Sequence, residues 1–215
     1  MAKPMYLHGR EGTPYGTKGS YMRLRLLSGA HAPAMPATSS HPDAFNASYE
    51  IARNMLLQLQ QQQDAPNIIV GSSFGGAVLM KLVQEGHWKG PSIFLAPAAL
   101  KESIRAEYNL PLWDSLPKGH RAIIIHSPSD SLVLYQDAVA IMNNSRERNQ
   151  EDNVIELWDA EEGDPDGEGK GNPRLTEITK NGMLKRALEQ LLGESVEERS
   201  MQEFLDLRAQ DPKMS

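Results

Sequence analysis

Short, continuous apolar runs recur along the chain and alternate with longer stretches that have helical spacing. Runs without apolar and polar alternation are typical of strands buried on both faces of a parallel sheet. A strand followed by a helix, repeated several times, predicts right-handed βαβ units. The sequence therefore predicts an α/β fold, a three-layer sandwich with a mostly parallel central sheet of about six strands and helices on both faces.

The predicted elements cover most of the first 192 residues. The strand candidates are residues 4–8, 31–35, 67–71, 91–97, 121–127 and 153–158. The helix candidates are residues 42–62, 74–86, 131–144 and 175–192. Among the strands, residues 31–35 are the weakest candidate because they contain Pro33, which cannot donate to a sheet.

A chain of 215 residues can bury one substantial core. We predict one domain over residues 1–194, with an acidic, flexible loop at 159–172 and a helical tail at 195–215. The loop has six acidic residues and four glycines, a composition that disfavours packing. In the tail, Ser195 and Glu198 have the spacing of a capping box. A helix packed on its own domain is expected there, with a partner-binding helix or a frayed end as alternatives.

The composition excludes several classes of protein. The sequence has no cysteine, which excludes disulfides, thiolate-bound zinc and cysteine nucleophiles. It has no signal-peptide pattern at its start and no apolar run long enough to span a bilayer, so a soluble, cytoplasmic protein is predicted. The formal charge of −6, without a basic stripe, argues against nucleic acid or a membrane as partner.

One short motif carries the strongest functional signal. Gly71, Ser73 and Gly75 match G-x-S-x-G, the turn that joins a strand tightly to a helix and exposes its serine. The motif lies between a strand candidate and a helix candidate, as it requires. Ser73 is therefore the candidate nucleophile, with a purely structural turn as the alternative, and the amide of Phe74 is the candidate oxyanion donor. Ser72 has the wrong spacing and is predicted to be a packing residue.

Two other loops supply candidate partners for Ser73. In YLHGREG, the amide of Arg10 follows the first strand and a glycine, and it is the candidate second oxyanion donor; a plain βα turn is the alternative. In HSPSD, Asp130 follows a later strand and is the candidate acid of a catalytic triad in the chain order Ser, Asp, His. A helix cap is the alternative for Asp130.

These motifs resemble those of the α/β-hydrolase superfamily, and in particular its compact bacterial esterases. The matching stretches are YLHG at 6–9, GSSFGG at 71–76 and HSPSD at 126–130, which together anchor nearly all of residues 4–192. The resemblance implies an α/β-hydrolase fold, no cofactor and a Ser–His–Asp triad. It also implies that the catalytic histidine follows the last strand.

The sequence departs from this pattern at the histidine. No histidine follows His126, and the implied position is filled by Pro173 or, with another loop alignment, by Pro165. His126 and His8 are the candidate substitute bases, because both are predicted at the carboxyl ends of strands, where sites form in such sheets. The alternatives are a buried structural role for His126 and a role in shaping the oxyanion loop for His8. The histidines expected at the surface are His31, His41, His87 and His120.

The acidic loop also partly matches a calcium loop. Residues 164–172 place oxygen ligands and a glycine at the required spacing, but position 12 is Leu175 and not glutamate. No metal site is therefore predicted.

Two functions follow from these residues. The first is ester hydrolysis of small-molecule substrates through Ser73, with reduced activity because no histidine follows Asp130. The second is a catalytically inactive homologue that serves as a binding or structural subunit for a protein partner. A nucleotide-binding interpretation of GSSFGG is disfavoured, because the motif has neither a P-loop lysine nor G-x-G-x-x-G spacing.

Overall fold

The computed structural model describes residues 1–10, 12–26, 28–36, 41–149, 155–160, 179 and 182–211. Within that part of the chain, five parallel strands form one sheet in the order of the sequence. The strands are β1 (Pro4–Leu7), β2 (Ile68–Ser72), β3 (Ser92–Leu95), β4 (Ala122–His126) and β5 (Ile155–Asp159). Because all pairs are parallel, the carboxyl ends of the strands meet at one edge of the sheet.

Helices lie between and after the strands. They are α1 (Thr17–Ser20), a π-helical segment (Tyr21–Arg25), α2 (Ala44–Gln61), α3 (Phe74–Gln84), α4 (Glu102–Tyr108), α5 (Tyr135–Asn149), α6 (Met183–Leu192) and α7 (Met201–Gln210). No helix within the described residues is both long and apolar enough to cross a bilayer.

Alternate side chains of each strand pack into two separate hydrophobic cores, one on each face of the sheet. On one face, Leu7 and Ile69 pack with buried residues of α2, α3 and α5. On the other face, Tyr6 and Val70 pack with the π-helical segment and α6. Burial of both faces explains why the strand sequences are apolar without alternation. The predicted three-layer α/β architecture is confirmed.

The sixth predicted strand, residues 31–35, contributes only one bridge, between Met5 and His31. His31 makes both hydrogen bonds of this bridge: it accepts from the Tyr6 amide at 2.7 Å, and its own amide donates to the Pro4 carbonyl at 3.0 Å. Two residues further on, Pro33 has no N–H to donate. The pairing therefore ends after one residue, and the described sheet has five strands instead of about six.

Three of the four helix predictions correspond to complete helices within the described residues. Residues 42–62, 74–86 and 131–144 correspond to α2, α3 and α5, although α5 begins only at Tyr135. The start of the predicted helix at 175–192 lies outside the described residues, and its end is α6. Helix α4 was not predicted, because Ile104 is the one buried residue in its seven and no apolar periodicity can be read from it.

The tail helix has its cap at Ser200, five residues after the predicted cap Ser195. Ser200 and Glu203 form the capping box, with Ser200 Oγ accepting from the Glu203 amide at 3.2 Å and Glu203 Oε2 accepting from the Ser200 amide at 2.8 Å. Glu198, which the sequence suggested as part of a cap, instead forms an antiparallel bridge with Leu26. Val196 is buried. The chain before α7 is thereby held in an extended form against its own domain.

His120 is buried, contrary to the expectation that it lies at the surface. It is 5% exposed, and its Nε2 lies 2.9 Å from Ser92 Oγ. Trp88 Nε1 donates to the same hydroxyl at 3.2 Å. Ser92 begins β3, so this Ser–His pair lies at the amino-terminal edge of the sheet, away from Ser73. Burial lowers the pKa of His120 to about 4.

The buried His120 predicts a pH dependence of stability. In the unfolded chain this histidine takes up a proton as the pH falls through about 6.5, whereas in the folded protein it does so only near 4. The stability that neutral His120 contributes at pH 7 is therefore lost as the pH falls through this window, by about 3 kcal/mol.

We expect the His120→Gln variant, which keeps a neutral partner for Ser92, to lose less stability between pH 7 and pH 4.5 than the wild type in urea unfolding. His41→Gln, at an exposed position, is the control and should follow the wild type. Equal pH dependence in all three proteins would refute the assignment.

Candidate active site

Ser73 lies at the corner where β2 ends and α3 begins. Its backbone angles, φ 51° and ψ −112°, fall in a region that residues with a side chain rarely adopt. The Ser73 amide donates to the Leu95 carbonyl at 2.8 Å, and the Ser73 carbonyl accepts from the amides of Gly76 at 2.9 Å and Ala98 at 3.1 Å. Bonds to β3 and to the segment after it thus hold the strained residue in place.

The glycines of the motif are required by close backbone contacts. A Cβ on Gly75 would lie 2.2 Å from the Leu7 carbonyl oxygen and 2.5 Å from that of His8. A Cβ on Gly71 would lie 2.7 Å from the Gly75 carbonyl oxygen. The first turn of α3 is therefore pressed against the end of β1, which places the β1 loop beside Ser73.

The Ser73 side chain is half-buried and opens into a cleft of about 600 Å³, within the range of small-ligand sites. Four residues at the strand ends form its floor: Tyr6, Ser72, Ser73 and Phe74. The walls come from the loop after β1 and the start of α1, from the segment after β3 with α4, and from the loop after β4.

Ser72 behaves as a packing residue. Its side chain is 1% exposed, and its hydroxyl is hydrogen-bonded to the Tyr6 phenol, whose pKa burial raises well above its ordinary value. The Ser72 hydroxyl is thus bonded within the protein, while Ser73 lines the open cleft.

Two amides are the candidate oxyanion donors. Phe74 is the first residue of α3, and no acceptor for its N–H occurs among the described residues. The second loop is close, because a Cβ on Gly9 would lie 3.4 Å from Ser73 Cβ. The Gly9 carbonyl accepts from the Gly12 amide at 2.9 Å. Since the carbonyl and the N–H of a trans peptide point in opposite directions, this bond also fixes the direction of the Arg10 amide.

His8 uses both ring nitrogens on the backbone. Its Nδ1 lies 2.9 Å from the Gly9 carbonyl oxygen, and its Nε2 accepts from the Met35 amide at 3.1 Å. Such an imidazole is neutral, with the proton on Nδ1, and burial lowers its pKa. His8 therefore has no nitrogen open to Ser73, and it orients the Gly9–Arg10 peptide.

Asp130 lines the cleft, but its own loop engages its carboxylate. Oδ1 accepts from the amides of Leu132 at 2.8 Å and Val133 at 3.1 Å, and Oδ2 lies 3.9 Å from His126 Nε2. That imidazole nitrogen is also 2.9 Å from the Val133 carbonyl oxygen. Asp130 thus shapes the loop after β4 as well as facing the cleft.

His126, the nearest imidazole to Asp130 in the loop after β4, is fully buried. Its Nδ1 has no hydrogen-bond partner among the described residues, and Tyr135 packs edge-on against the ring with centroids 5.7 Å apart. Burial lowers the pKa of His126. The side chain does not line the cleft, so nothing in this arrangement brings it to Ser73.

All six histidines of the sequence lie in the described part of the chain. None of the hydrogen bonds found there joins an imidazole to Ser73. Pro165 and Pro173 lie outside the described residues. The site therefore combines a partly accessible serine, a neighbouring amide without a described acceptor and a carboxylate, with no imidazole hydrogen-bonded to the serine.

Sequence reasoning missed two lysines that line the cleft, Lys18 and Lys101. Lys101 could have been found, because it follows β3 and the loops after parallel strands converge at one edge of the sheet. Lys18 had no comparable signal, since α1 and the π-helical segment were not predicted. Among the described residues, no group of three or more histidine and acidic side chains is arranged to hold a metal ion, and the partial calcium loop lies outside them.

Comparison of the sequence with models of protein families found no match, and neither did comparison with curated proteins. Solved structures do match. A protein from Xanthomonas campestris pv. campestris assigned to the alpha/beta superfamily of hydrolases is 16% identical, with a TM-score of 0.60 over 90% of this chain and 99% of that chain. Est1E from Butyrivibrio proteoclasticus is 14% identical, with a TM-score of 0.59 over 90% of this chain and 89% of that chain.

A third structure, an alpha-beta serine hydrolase homologue from Coxiella burnetii, is 13% identical, with a TM-score of 0.53 over 74% of both chains. At such low identities the likeness concerns the fold. The chain has the α/β-hydrolase fold that its motifs led us to expect.

Proposed function

We propose that the protein is a serine hydrolase that cleaves small carboxylic esters slowly, through Ser73. The observation that carries the proposal is the placement of Ser73. It lies at a strained strand-to-helix corner, on the floor of the cleft, next to the N–H of Phe74, which has no acceptor among the described residues. A nucleophile and a preorganised oxyanion donor in one cleft are the core of acyl-transfer chemistry.

In the proposed reaction, Ser73 Oγ attacks the ester carbonyl carbon. The amides of Phe74 and Arg10 then donate to the oxyanion, and the alcohol leaves as the carbonyl re-forms. Water cleaves the resulting acyl-enzyme and regenerates the serine. With no described imidazole on Ser73, its proton passes to solvent, which makes the attack slow at neutral pH.

Asp130 is the proposed acid of this site. It occupies the loop after β4 and lines the same cleft as Ser73, as the chain order of the motifs requires. A triad acid acts by orienting a histidine toward the serine. No described histidine is hydrogen-bonded to Ser73, so Asp130 has no such histidine to orient. The proposed role of Asp130 is therefore limited to the shape and charge of the cleft.

A second function, that of a catalytically inactive binding subunit, is favoured by the histidines. His8 has both ring nitrogens on backbone groups, and His126 is buried away from the cleft. In a triad enzyme, loss of the histidine lowers kcat by about 10⁶ and leaves about 10³ to 10⁴ over water from binding and the oxyanion hole.

Ester turnover separates the two functions. Against 4-nitrophenyl butyrate, we expect slow turnover through an acyl-enzyme on Ser73, and Ser73→Ala should be slower because only binding and the oxyanion hole then remain. Ser72→Ala is the matched control, because Ser72 is buried and turned toward Tyr6, and it should keep the wild-type rate. Turnover unchanged in Ser73→Ala, or absent from folded wild-type protein, would refute the enzymatic function and favour the binding subunit.

A further inference from the structure

The charges that line the cleft differ in sign from the charge of the whole protein. The sequence has 22 Lys and Arg residues against 28 Asp and Glu, a formal charge of −6. Three cations nevertheless line the cleft, Arg10, Lys18 and Lys101, against one acid, Asp130, among the residues that the structure describes. A positive excess in a concave site raises the local concentration of anions.

Existing pairs leave part of this positive charge uncompensated. Arg10 is paired with Glu107 at 3.1 Å, although both side chains are more than a third exposed and the pair is weakened by solvent. Asp130 is engaged by its own loop. Within the described part of the chain, the Lys101 ammonium group has no ion pair or hydrogen bond. Lys101 therefore brings to the cleft a positive charge that no described residue pairs.

The fold fixes the base of Lys101 near the reacting serine. Lys101 is the residue immediately before α4, and its carbonyl accepts from the amides of Ile104 and Arg105, each at 3.0 Å. The segment that leads to it begins at the carboxyl end of β3, where Ala98 donates to the Ser73 carbonyl at 3.1 Å. Lys101 and Ser73 are thus tied to the same edge of the sheet and line the same cleft.

Apolar side chains line the cleft beside these charges. Ile104 comes from α4, and Leu132 and Val133 come from the loop after β4. Leu132 is about half exposed, so a ligand chain that covers it gains the free energy of apolar burial. The cleft therefore offers an apolar wall together with the Lys101 ammonium group, which no described residue pairs, and this combination suits a monoanion on a short hydrocarbon chain.

We propose that the cleft selects esters that carry a carboxylate on their acyl chain, and that Lys101 binds this carboxylate. The proposal rests on the proposed function, because it assigns the ester carbonyl to Ser73. The hydrocarbon between the two groups lies against Ile104, Leu132 and Val133. Lys101 acts here as a residue that determines specificity.

The kinetic test compares 4-nitrophenyl hydrogen adipate with 4-nitrophenyl hexanoate, which has the same chain length but no carboxylate. We expect wild-type kcat/KM to favour the adipate by about tenfold, and Lys101→Glu to abolish that preference. Lys101→Arg should keep it. Lys89→Glu makes the same change of net charge at an exposed residue outside the cleft, and it should also keep the preference. No preference for the adipate, or equal loss in Lys89→Glu, would overturn the proposal.

A binding test does not depend on turnover. In the Ser73→Ala variant, the monoanion monomethyl adipate should raise the Tm by ligand linkage, and the neutral dimethyl adipate should not. The rise should vanish when Lys101→Glu is added.

A Tm rise without hydrolysis of either ester would refute the enzymatic function and still support the anion site. Hydrolysis without preference or Tm rise would overturn the anion site alone. Binding of inorganic phosphate in place of monomethyl adipate would overturn the choice of a carboxylate.

Discussion

Replacing Gly75 with alanine is expected to destabilise the protein by about 4 kcal/mol or more. The new Cβ would lie 2.2 Å from the Leu7 carbonyl oxygen and 2.5 Å from that of His8. Both atoms belong to the backbone at the end of β1, so no side-chain rotation can relieve the contact. Either α3 must move away from β1 or the strand must leave its place in the sheet.

Urea unfolding with Gly86→Ala as the control tests this prediction. Gly86 lies just beyond the other end of α3 and has a φ of +74°, but a Cβ there would meet nothing within 4 Å. Its substitution adds only backbone strain, about 1 kcal/mol. If Gly75→Ala were no less stable than Gly86→Ala, α3 would not be pressed against β1, and the loop that carries Arg10 would not lie beside Ser73.

The corner could be predicted from sequence because its motif is local: Gly71, Ser73 and Gly75 lie within five residues. Gly71 is required by the Gly75 carbonyl inside the motif, whereas Gly75 is required by the end of β1, a contact that the sequence pattern marks without revealing. The strand before it and the helix after it are apolar enough to be recognised on their own. Little information from distant parts of the chain was needed to place Ser73.

Other features depend on contacts that no local pattern reveals. The buried His120 is hydrogen-bonded to Ser92, which lies 28 residues earlier in the chain. Helix α4 has a single buried side chain, so its position comes from the chain that leads to it and not from an amphipathic pattern. The strand predicted at 31–35 is limited to one bridge by Pro33, the residue that also makes it the weakest strand candidate in the sequence.

The missing catalytic histidine is evident partly from the sequence and partly from the fold. The sequence alone shows that no imidazole follows His126, and this absence by itself limits the activity that can be expected of Ser73. The hydrogen bonds of the folded protein add that His8 uses both nitrogens on backbone groups. The fold also shows that His126 is buried, with no partner for its Nδ1 among the described residues. Whether either imidazole can act as a base on Ser73 depends on these contacts, and the spacing of the residues in the sequence does not reveal them.

Reaction with a fluorophosphonate should modify the protein once, on Ser73. The reagent tests the nucleophile and the oxyanion donors without requiring water to cleave an acyl-enzyme. Because no described imidazole takes the serine proton, the reaction should be slow at pH 7 and faster at higher pH. Ser72→Ala should be labelled like the wild type, and Ser73→Ala should not be labelled.

Intact-mass spectrometry of the fluorophosphonate-treated protein, followed by peptide mapping, is the most direct test of Ser73 as a nucleophile in this cleft. The predicted result is one adduct per chain, located on Ser73 and absent after denaturation before labelling. Folded protein that stays unmodified at both neutral and alkaline pH, or an adduct on a different serine, would contradict the assignment.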